Sequence, residues 1–407
     1  MFDVMVIGGG AAGLASAIAA GRAGCKVMVL EKRERLGRKI LASGNGRCNL
    51  GNVDLSPSRF SSQDHRLLSA VLSDFSLAQL YAFWGGLGLE LTVEEGRIYP
   101  RTMQSKSVLE VLLHELARLN VGITLSAPVI GLSAIEQDQG FEATCQGGAI
   151  FRARAAILAL GGMAAPQLGC TGDGYALAAA LGHTLVRPAP ALVGLRLASR
   201  HLKELAGLRL RASVSIPALA ATETGEVIFT DYGLSGIPVF DLTACIGQLD
   251  SLYLHLRLAE QATQAALMTF LVDRLHLLSH KTMREVLVGY LPTQLVSPIL
   301  SEAGIPLELP ATKVLDRHLD ALGALLWDWT FPIDGLNTWE QAQTTWGGIP
   351  LREVGIPAFE SKKHPGLYLA GELLDVHGRC GGYNLYWAFA SGYLAGQHAA
   401  LRAKTNR

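Results

Sequence analysis

Three glycines and an acid carry the first chemical signal in the chain. Met1 to Gly8 reads MFDVMVIG, a short apolar run, and passes straight into Gly8-Gly9-Gly10-Ala11-Ala12-Gly13. An alanine-rich stretch follows, then a second apolar run, Lys26 to Leu30, closed by Glu31. The spacing predicts a βαβ dinucleotide-binding unit. Gly8 allows the tight turn, Gly10 lets the backbone approach a pyrophosphate, and Gly13 lets helix and strand pack closely. Ala11 and Ala12 open the helix, whose free N–H groups carry phosphate charge. Glu31 is placed to accept hydrogen bonds from an adenosine ribose, and an acid here suits free ribose hydroxyls, as in FAD or NAD. Lys32 reads first as surface charge and second as a cofactor contact.

Other polar loops hold candidate groups. Ser43-Gly44-Asn45-Gly46-Arg47-Cys48-Asn49 combines small residues with amide and guanidinium donors, suited to lie against a flavin ring or a pyrophosphate. Arg47 fits an anionic partner or a structural ion pair equally well. Cys48 and Cys380 each follow a Gly-Arg pair. A redox pair is one reading, two small buried thiols the other; the short fixed spacing of flavin-disulfide enzymes is missing. His377, in Leu374-Asp375-Val376-His377-Gly378-Arg379-Cys380, is a better proton donor candidate than His364, and an exposed loop position is expected for it. The catalytic candidates are thus His377, Arg47, Cys48 and Cys380. Thr171 to Tyr175 reads as a helix start with Asp173 near the cleft, and Asp231 to Gly236 as a polar glycine turn. No Ser/His/Asp arrangement is legible as a hydrolase triad.

These groups need elements to position them. Periodicity predicts helices over Leu67 to Trp84 and Ser107 to Leu119, a strand at Ile123 to Leu125, and a hairpin of Phe141 to Cys145 with Ala149 to Arg154. Ala155 to Leu160 is a continuous apolar run entering Gly161-Gly162, as in a buried parallel strand, and Gly161 is counted with the cofactor-binding residues. From about Thr184 short alternating segments predict a small antiparallel β module. Glu260 to Leu325 is helical in period, with breaks expected at Pro292, Pro298, Pro306 and Pro310. The Trp-rich stretch Trp327 to Trp339 is returned to the β module. Gly366 to Ala370, Gly371-Glu372 and a helix from Asn384 to Ala400 repeat the strand, glycine turn, helix style of the start. The fold class is α/β, a discontinuous Rossmann-like domain whose two ends fold together. Its first part spans 1–185 and its second 345–407. A small β module (186–258 and 326–344) and a helical insert (259–325) lie between.

Bulk composition narrows the function. The 407 residues hold 35 Lys and Arg against 35 Asp and Glu, and no dense basic block, which argues against nucleic acid as a partner. No apolar run approaches the ~20 residues of a membrane span, and no signal peptide is visible at the start. Six scattered cysteines without a Cys-x-x-Cys pair disfavour zinc or a disulfide framework and fit a cytoplasmic setting. No second glycine fingerprint follows residue 150, so a reduced nicotinamide, if it is the electron donor, has no dedicated domain. The oligomeric state is not legible.

GGGAAG at the start, SGNGRCNL at Ser43 to Leu50, TTWGGI at Thr344 to Ile349 and LYLAGELLDVHGRCGGYNLYWAFASGYLAG at Leu367 to Gly396 resemble, in order along the chain, the BaiN/YhiN-like flavoproteins. These are bacterial NAD(P)/FAD-dependent oxidoreductases. The resemblance implies FAD, a glutathione-reductase-type FAD domain, a small β-barrel and a helical insert. It implies that Glu372, after Gly371, binds a ribityl hydroxyl, where the group more often has Asp. It places a backbone contact to adenine near Val129. Gly381-Gly382-Tyr383-Asn384 is expected to open a helix aimed at the flavin, stabilising negative charge by roughly 0.3–2 kcal/mol, with Asn384 as N-cap. The implied function is hydride transfer between flavin N5 and a small organic substrate, an enone or alicyclic, steroid-like compound, seated between the flavin and the β and helical modules. A flavin-dependent RNA-modifying enzyme and a non-catalytic flavin redox sensor or electron carrier are the alternatives.

Overall fold

A computed structural model describes residues 1–135, 140–247 and 251–405. The chain divides into two compact units, Met1–Ala191 with Trp339–Arg407, and Leu192–Thr338.

In the first unit the two opening apolar runs form β1 (Phe2–Ile7) and β2 (Val27–Leu30), joined by α1 (Ala11–Arg22) and followed by α2 (Arg38–Ala42). Further along come β3 (Gly122–Thr124), β4 (Val129–Ala134), β5 (Phe141–Cys145) and β6 (Ile150–Leu158). Next are α3 (Asp173–Ala180), β7 (Thr344–Gly348), β8 (Leu367–Leu369) and α4 (Tyr383–Thr405). A parallel sheet runs in the order β3-β2-β1-β6-β8, with Val4 opposite both Val27 and Ala155. β6 changes partners along its length. Ile150 to Ala153 pair antiparallel with β5, and Ala156 to Leu158 pair parallel with β8. Its apolar half is buried, as a strand covered on both faces must be. The strand Val186–Ala191 pairs antiparallel with β7.

α1 is built of small residues and is buried from Ala12 to Gly21. It crosses α4 closely: a Cβ on Gly392 would lie 2.2 Å from Ala12 O, and one on Gly396 2.3 Å from Ser16 O. Ser16 Oγ donates within this crossing, lying 2.8 Å from both Ala12 O and Gly392 O. The helix expected over Leu67 to Trp84 is two helices, His65–Asp74 and Leu77–Gly85. Ser76 and Gln79 form a capping box that starts the second one. Among the described residues no single helix is long and apolar enough to cross a membrane, although this bent pair together has the length and composition.

The second unit holds a closed barrel of Leu195–Leu197, Gly233–Ser235, Ala221–Thr230, Arg209–Ile216, Tyr253–Arg257 and Trp329–Leu336, in that order around the ring. The Trp-rich stretch therefore supplies a barrel strand, with Trp329 and Phe331 buried. Helices Gln264–Leu277, Met283–Leu287, Thr293–Glu302 and Asp316–Trp327 share one hydrophobic core with the barrel. Pro298 does not break its helix but lies inside Thr293–Glu302. A proline there costs about 3 kcal/mol, which the burial of Leu295, Val296, Ile299 and Leu300 on the same short helix offsets.

Candidate cofactor-binding site

In open parallel sheets of this strand order, ligands bind outside the carboxyl ends of the strands. Gly8 follows β1, Glu31 follows β2, Gly161 lies just past β6, and Gly371-Glu372 follow β8. The candidates named from widely separated stretches thus share one edge.

The glycine turn fits its expected roles. Gly8 has φ +109°, and a Cβ on Gly13 would fall 1.8 Å from Gly8 O, so only glycine lets α1 sit this close to β1. Gly10 is the N-cap of α1, and a Cβ there would meet nothing within 4 Å. That open cradle beside a helix N-terminus is what a diphosphate requires. Glu31 Oε2 accepts the Gly9 N–H at 2.7 Å and Oε1 the Arg33 N–H at 2.8 Å. Each oxygen keeps a lone pair for a hydroxyl. Ala127 N–H donates to Glu31 O at 2.9 Å, which sets the segment leading to Val129 beside the acid. Lys32 pairs with Asp173 Oδ2 at 2.5 Å and also donates to Thr171, so the helix start at α3 holds it. The N-cap of α3 is Gly172, and Asp173 is its first residue.

Glu372 is the hub of the opposite side. Its Oε1 accepts the Thr345 N–H at 2.9 Å and its Oε2 accepts Lys39 Nζ at 2.6 Å. Thr345 Oγ1 in turn accepts the N–H groups of Met163 and Ala164 at 2.8 and 3.1 Å, gathering the loop after Gly161. Gly371 N–H donates to Ser391 Oγ at 2.9 Å, and a Cβ on Gly371 would fall 2.8 Å from Ala12 Cβ. Burial pulls the Lys39 ammonium down, but the Glu372 carboxylate more than reverses it, and the amine is held above its ordinary pKa. Burial and the Glu372 charge push the buried Tyr175 phenol up, so it stays protonated. Asp375, 4% exposed, is pushed up to about 6, by burial first and then by Asp64, against the opposing pull of Arg352.

The loop from Ser43 to Asn49 meets the start of α4. Gly44, Asn45, Gly46 and Cys48 all have left-handed φ, between 53° and 83°. Asn52 Nδ2 donates to Gly381 O at 3.1 Å, and a Cβ on Gly382 would fall 2.3 Å from Asn49 Oδ1. Asn384 is not the N-cap. The helix starts at Tyr383, and the Asn384 amide clamps Gly378, accepting its N–H at 2.8 Å and donating to its O at 2.9 Å. Within this loop Arg47 turns outward, 3.6 Å from Glu94 Oε2 and 4.9 Å from the Tyr99 ring centre. Cys48 is fully buried, and burial pushes its thiol up to about 12 against a Ser43 hydrogen bond. A thiol so held is a poor nucleophile. Among the described residues no disulfide links any cysteine. His377 is buried, at 1% exposure, in a short pairing with Ser61, because the loop after Asp375 folds inward. His364, half-buried, contacts Leu181 O.

Among the described residues Arg33 Nε, Asn49 Oδ1 and Trp84 Nε1 are buried without a hydrogen-bond partner; Trp84 lies in the apolar core, and the other two lie on the loops after β2 and α2. Together with the Gly10 cradle they fit a large polar cofactor laid across the strand ends. Sequence reasoning passed over Lys39, Thr345, Tyr175 and Asp375. Thr345, Tyr175 and Asp375 lie in stretches named above and Lys39 does not, and nothing in a linear pattern pairs Lys39 or Thr345 with Glu372.

Comparison with known proteins gives consistent findings. The family model "HI0933-like protein Rossmann domain" matches residues 2–398. The chain is 38% identical to the 3-dehydro-bile acid delta(4,6)-reductase of Clostridium scindens, over 99% of this chain and 100% of that one. It is 29% identical to the ribosomal RNA dihydrouridine synthase of Escherichia coli, over 97% of each. In fold it is similar to the 3-ketosteroid delta1-dehydrogenase of Sterolibacterium denitrificans, with TM-score 0.53, 13% identity and coverage of 98% and 99%.

Proposed function

Since the chain belongs to the HI0933-like Rossmann family, we propose that it is an FAD-dependent oxidoreductase that reduces a carbon–carbon double bond conjugated to a carbonyl in an alicyclic, steroid-like substrate. The observation that carries this reading is the 38% identity to the bile acid reductase along the whole chain. Gly8, Gly10, Ala11, Ala12 and Gly13 would hold the diphosphate, Glu31 and the backbone near Val129 the adenosine, and Glu372 the ribityl chain. Gly161, Asn49 and the Gly381–Asn384 turn would face the flavin. When bound, FAD supplies the hydride-carrying centre, and the protein orients it and excludes water. Asp375 and His377 lie buried together on the C-terminal loop, where burial pushes the Asp375 carboxyl up to about 6, and the Tyr175 phenol keeps its own proton.

A second reading follows from the 29% identity to the ribosomal RNA dihydrouridine synthase. The uracil C5–C6 double bond is also conjugated to a carbonyl, so the same hydride chemistry serves a nucleotide. Balanced charge, with 35 cationic and 35 anionic side chains, favours the small molecule. The test is direct. Purified protein is expected to carry extractable FAD, to be reduced anaerobically by NADH or NADPH, and to be reoxidised by a 4-ene-3-ketosteroid. A colourless protein that takes up no FAD sinks the reading, and reoxidation by unmodified ribosomal RNA alone transfers it to the second one.

A further inference from the structure

Lys39 has no role in the pattern that identified the site, yet it sits at its centre. α2 is tied to the glycine turn, since Gly37 N–H donates to Gly9 O at 2.9 Å. From α2 the side chain of Lys39 reaches Glu372 Oε2 at 2.6 Å, on the far side of the same strand edge. The pair is mostly enclosed, with side-chain exposures of 29% and 18%. The other Glu372 oxygen is fixed on Thr345 N–H at 2.9 Å. We propose that Lys39 is a cofactor-anchoring residue, a fixed counter-charge between the phosphate turn and Glu372 without which the site rejects an anionic dinucleotide. The proposal rests on the FAD reading above.

The argument is one of charge. A dinucleotide diphosphate brings negative charge to an edge that already carries Glu31 and Glu372. The α1 N-terminus offers about half an elementary charge in return, and Lys32 is committed to Asp173. Arg33 stands on the loop after β2, and Lys39 is the cation that offsets Glu372 itself. An ammonium has three protons, and the hydrogen bond described for this one goes to Glu372. The amine is held charged by Glu372 despite burial. Removing Lys39 leaves the enclosed Glu372 carboxylate uncompensated beside an incoming anion, and losing one partner of an enclosed pair costs more than losing both.

The test is FAD affinity, read by flavin fluorescence on flavin-free protein whose circular dichroism and thermal unfolding match wild type. Lys39→Met is expected to weaken FAD at least about tenfold, and Lys39→Arg to stay within about threefold. The double variant Lys39→Met/Glu372→Gln is expected to recover part of the loss. Lys39→Gln replaces Lys39→Met if the latter does not fold. A Lys39→Met affinity within threefold of wild type overturns the proposal, as does a double variant no tighter than the single one. Wild-type protein that binds no FAD overturns the parent reading instead.

Discussion

Two polar clusters lie in the first unit, and they differ in how completely the protein satisfies them. In one, His183 Nδ1 is 2.7 Å from Glu353 Oε2 and Nε2 is 2.9 Å from Ser361 Oγ. This is the order of a serine, histidine and acid relay. Yet Ser361 is 4% exposed, and its Oγ accepts the N–H groups of Lys363 and His364, both at 3.1 Å. With both lone pairs taken, the hydroxyl donates to His183 and has nothing left to attack with. The strand-end edge that carries Glu31 and Glu372 is the opposite case. The Gly10 Cβ position faces open space, and Arg33 Nε and Asn49 Oδ1, on the loops after β2 and α2, are buried with no hydrogen-bond partner among the described residues. The first network is complete without a ligand; the second leaves polar atoms that a ligand can satisfy.

The largest expected effect breaks that edge. Gly13→Ala puts a Cβ 1.8 Å from Gly8 O and is expected to abolish FAD uptake and lower soluble yield. Gly10→Ala sharpens the contrast, since its Cβ meets no protein atom within 4 Å. It is expected to leave the melting temperature of flavin-free protein unchanged while weakening FAD about tenfold or more. Equal loss of stability and affinity would erase the distinction between the clusters. His183→Ala should do the reverse, costing roughly 2–4 kcal/mol in urea unfolding, with FAD affinity of the folded protein within about twofold of wild type.

Acid titration separates the clusters again. Burial holds His183 below its ordinary pKa, outweighing the hydrogen bond it donates to Glu353. The unfolded chain therefore binds the proton more readily, and the stability His183 contributes is full above ~6.5 and is lost as pH falls from there through the folded value. Asp375 has the opposite sign. Its folded value of about 6 exceeds the ordinary aspartate value of about 3.9, so ionising it costs stability as pH rises through that window, on the order of 3 kcal/mol above pH 6. Asp375→Asn is expected to raise the melting temperature at pH 8 and leave it little changed at pH 4. No gain at pH 8 would mean that the carboxylate is solvated. The smallest effect is expected at Arg47→Ala, an exposed ion pair worth about 0–1 kcal/mol, measured as urea stability.

The comparison also explains what the sequence makes legible. β1, β2 and β6 are visible because burial on both faces leaves continuous apolar runs, and the strand Trp329–Leu336 because its large side chains sit among alternating barrel segments. The glycine turn is visible because its steric demand, 1.8 Å at Gly13, tolerates no other residue. The break before Leu77 was there to be read in Ser76 and Gln79, but apolar periodicity ran across it. Pro298 was given its local propensity, and packing prevailed. Lys39 with Glu372, 333 positions apart, and the inward turn of His377 are decided by how separate segments meet. No local pattern encodes that.

The crossing of α1 and α4 has a consequence for biosynthesis. The glycine turn Gly8–Gly13 is translated within the first few dozen residues, but Glu372 and the glycines Gly392 and Gly396 that seat α4 on α1 come near the other end. At typical rates of about 5–20 residues per second, the interval is on the order of tens of seconds. Through it α1 presents Ala12 and Ser16 with their covering helix still unmade. The nascent chain thus carries half of the proposed cofactor site and an uncovered helix face, and on that proposal FAD is captured only once the late segment docks.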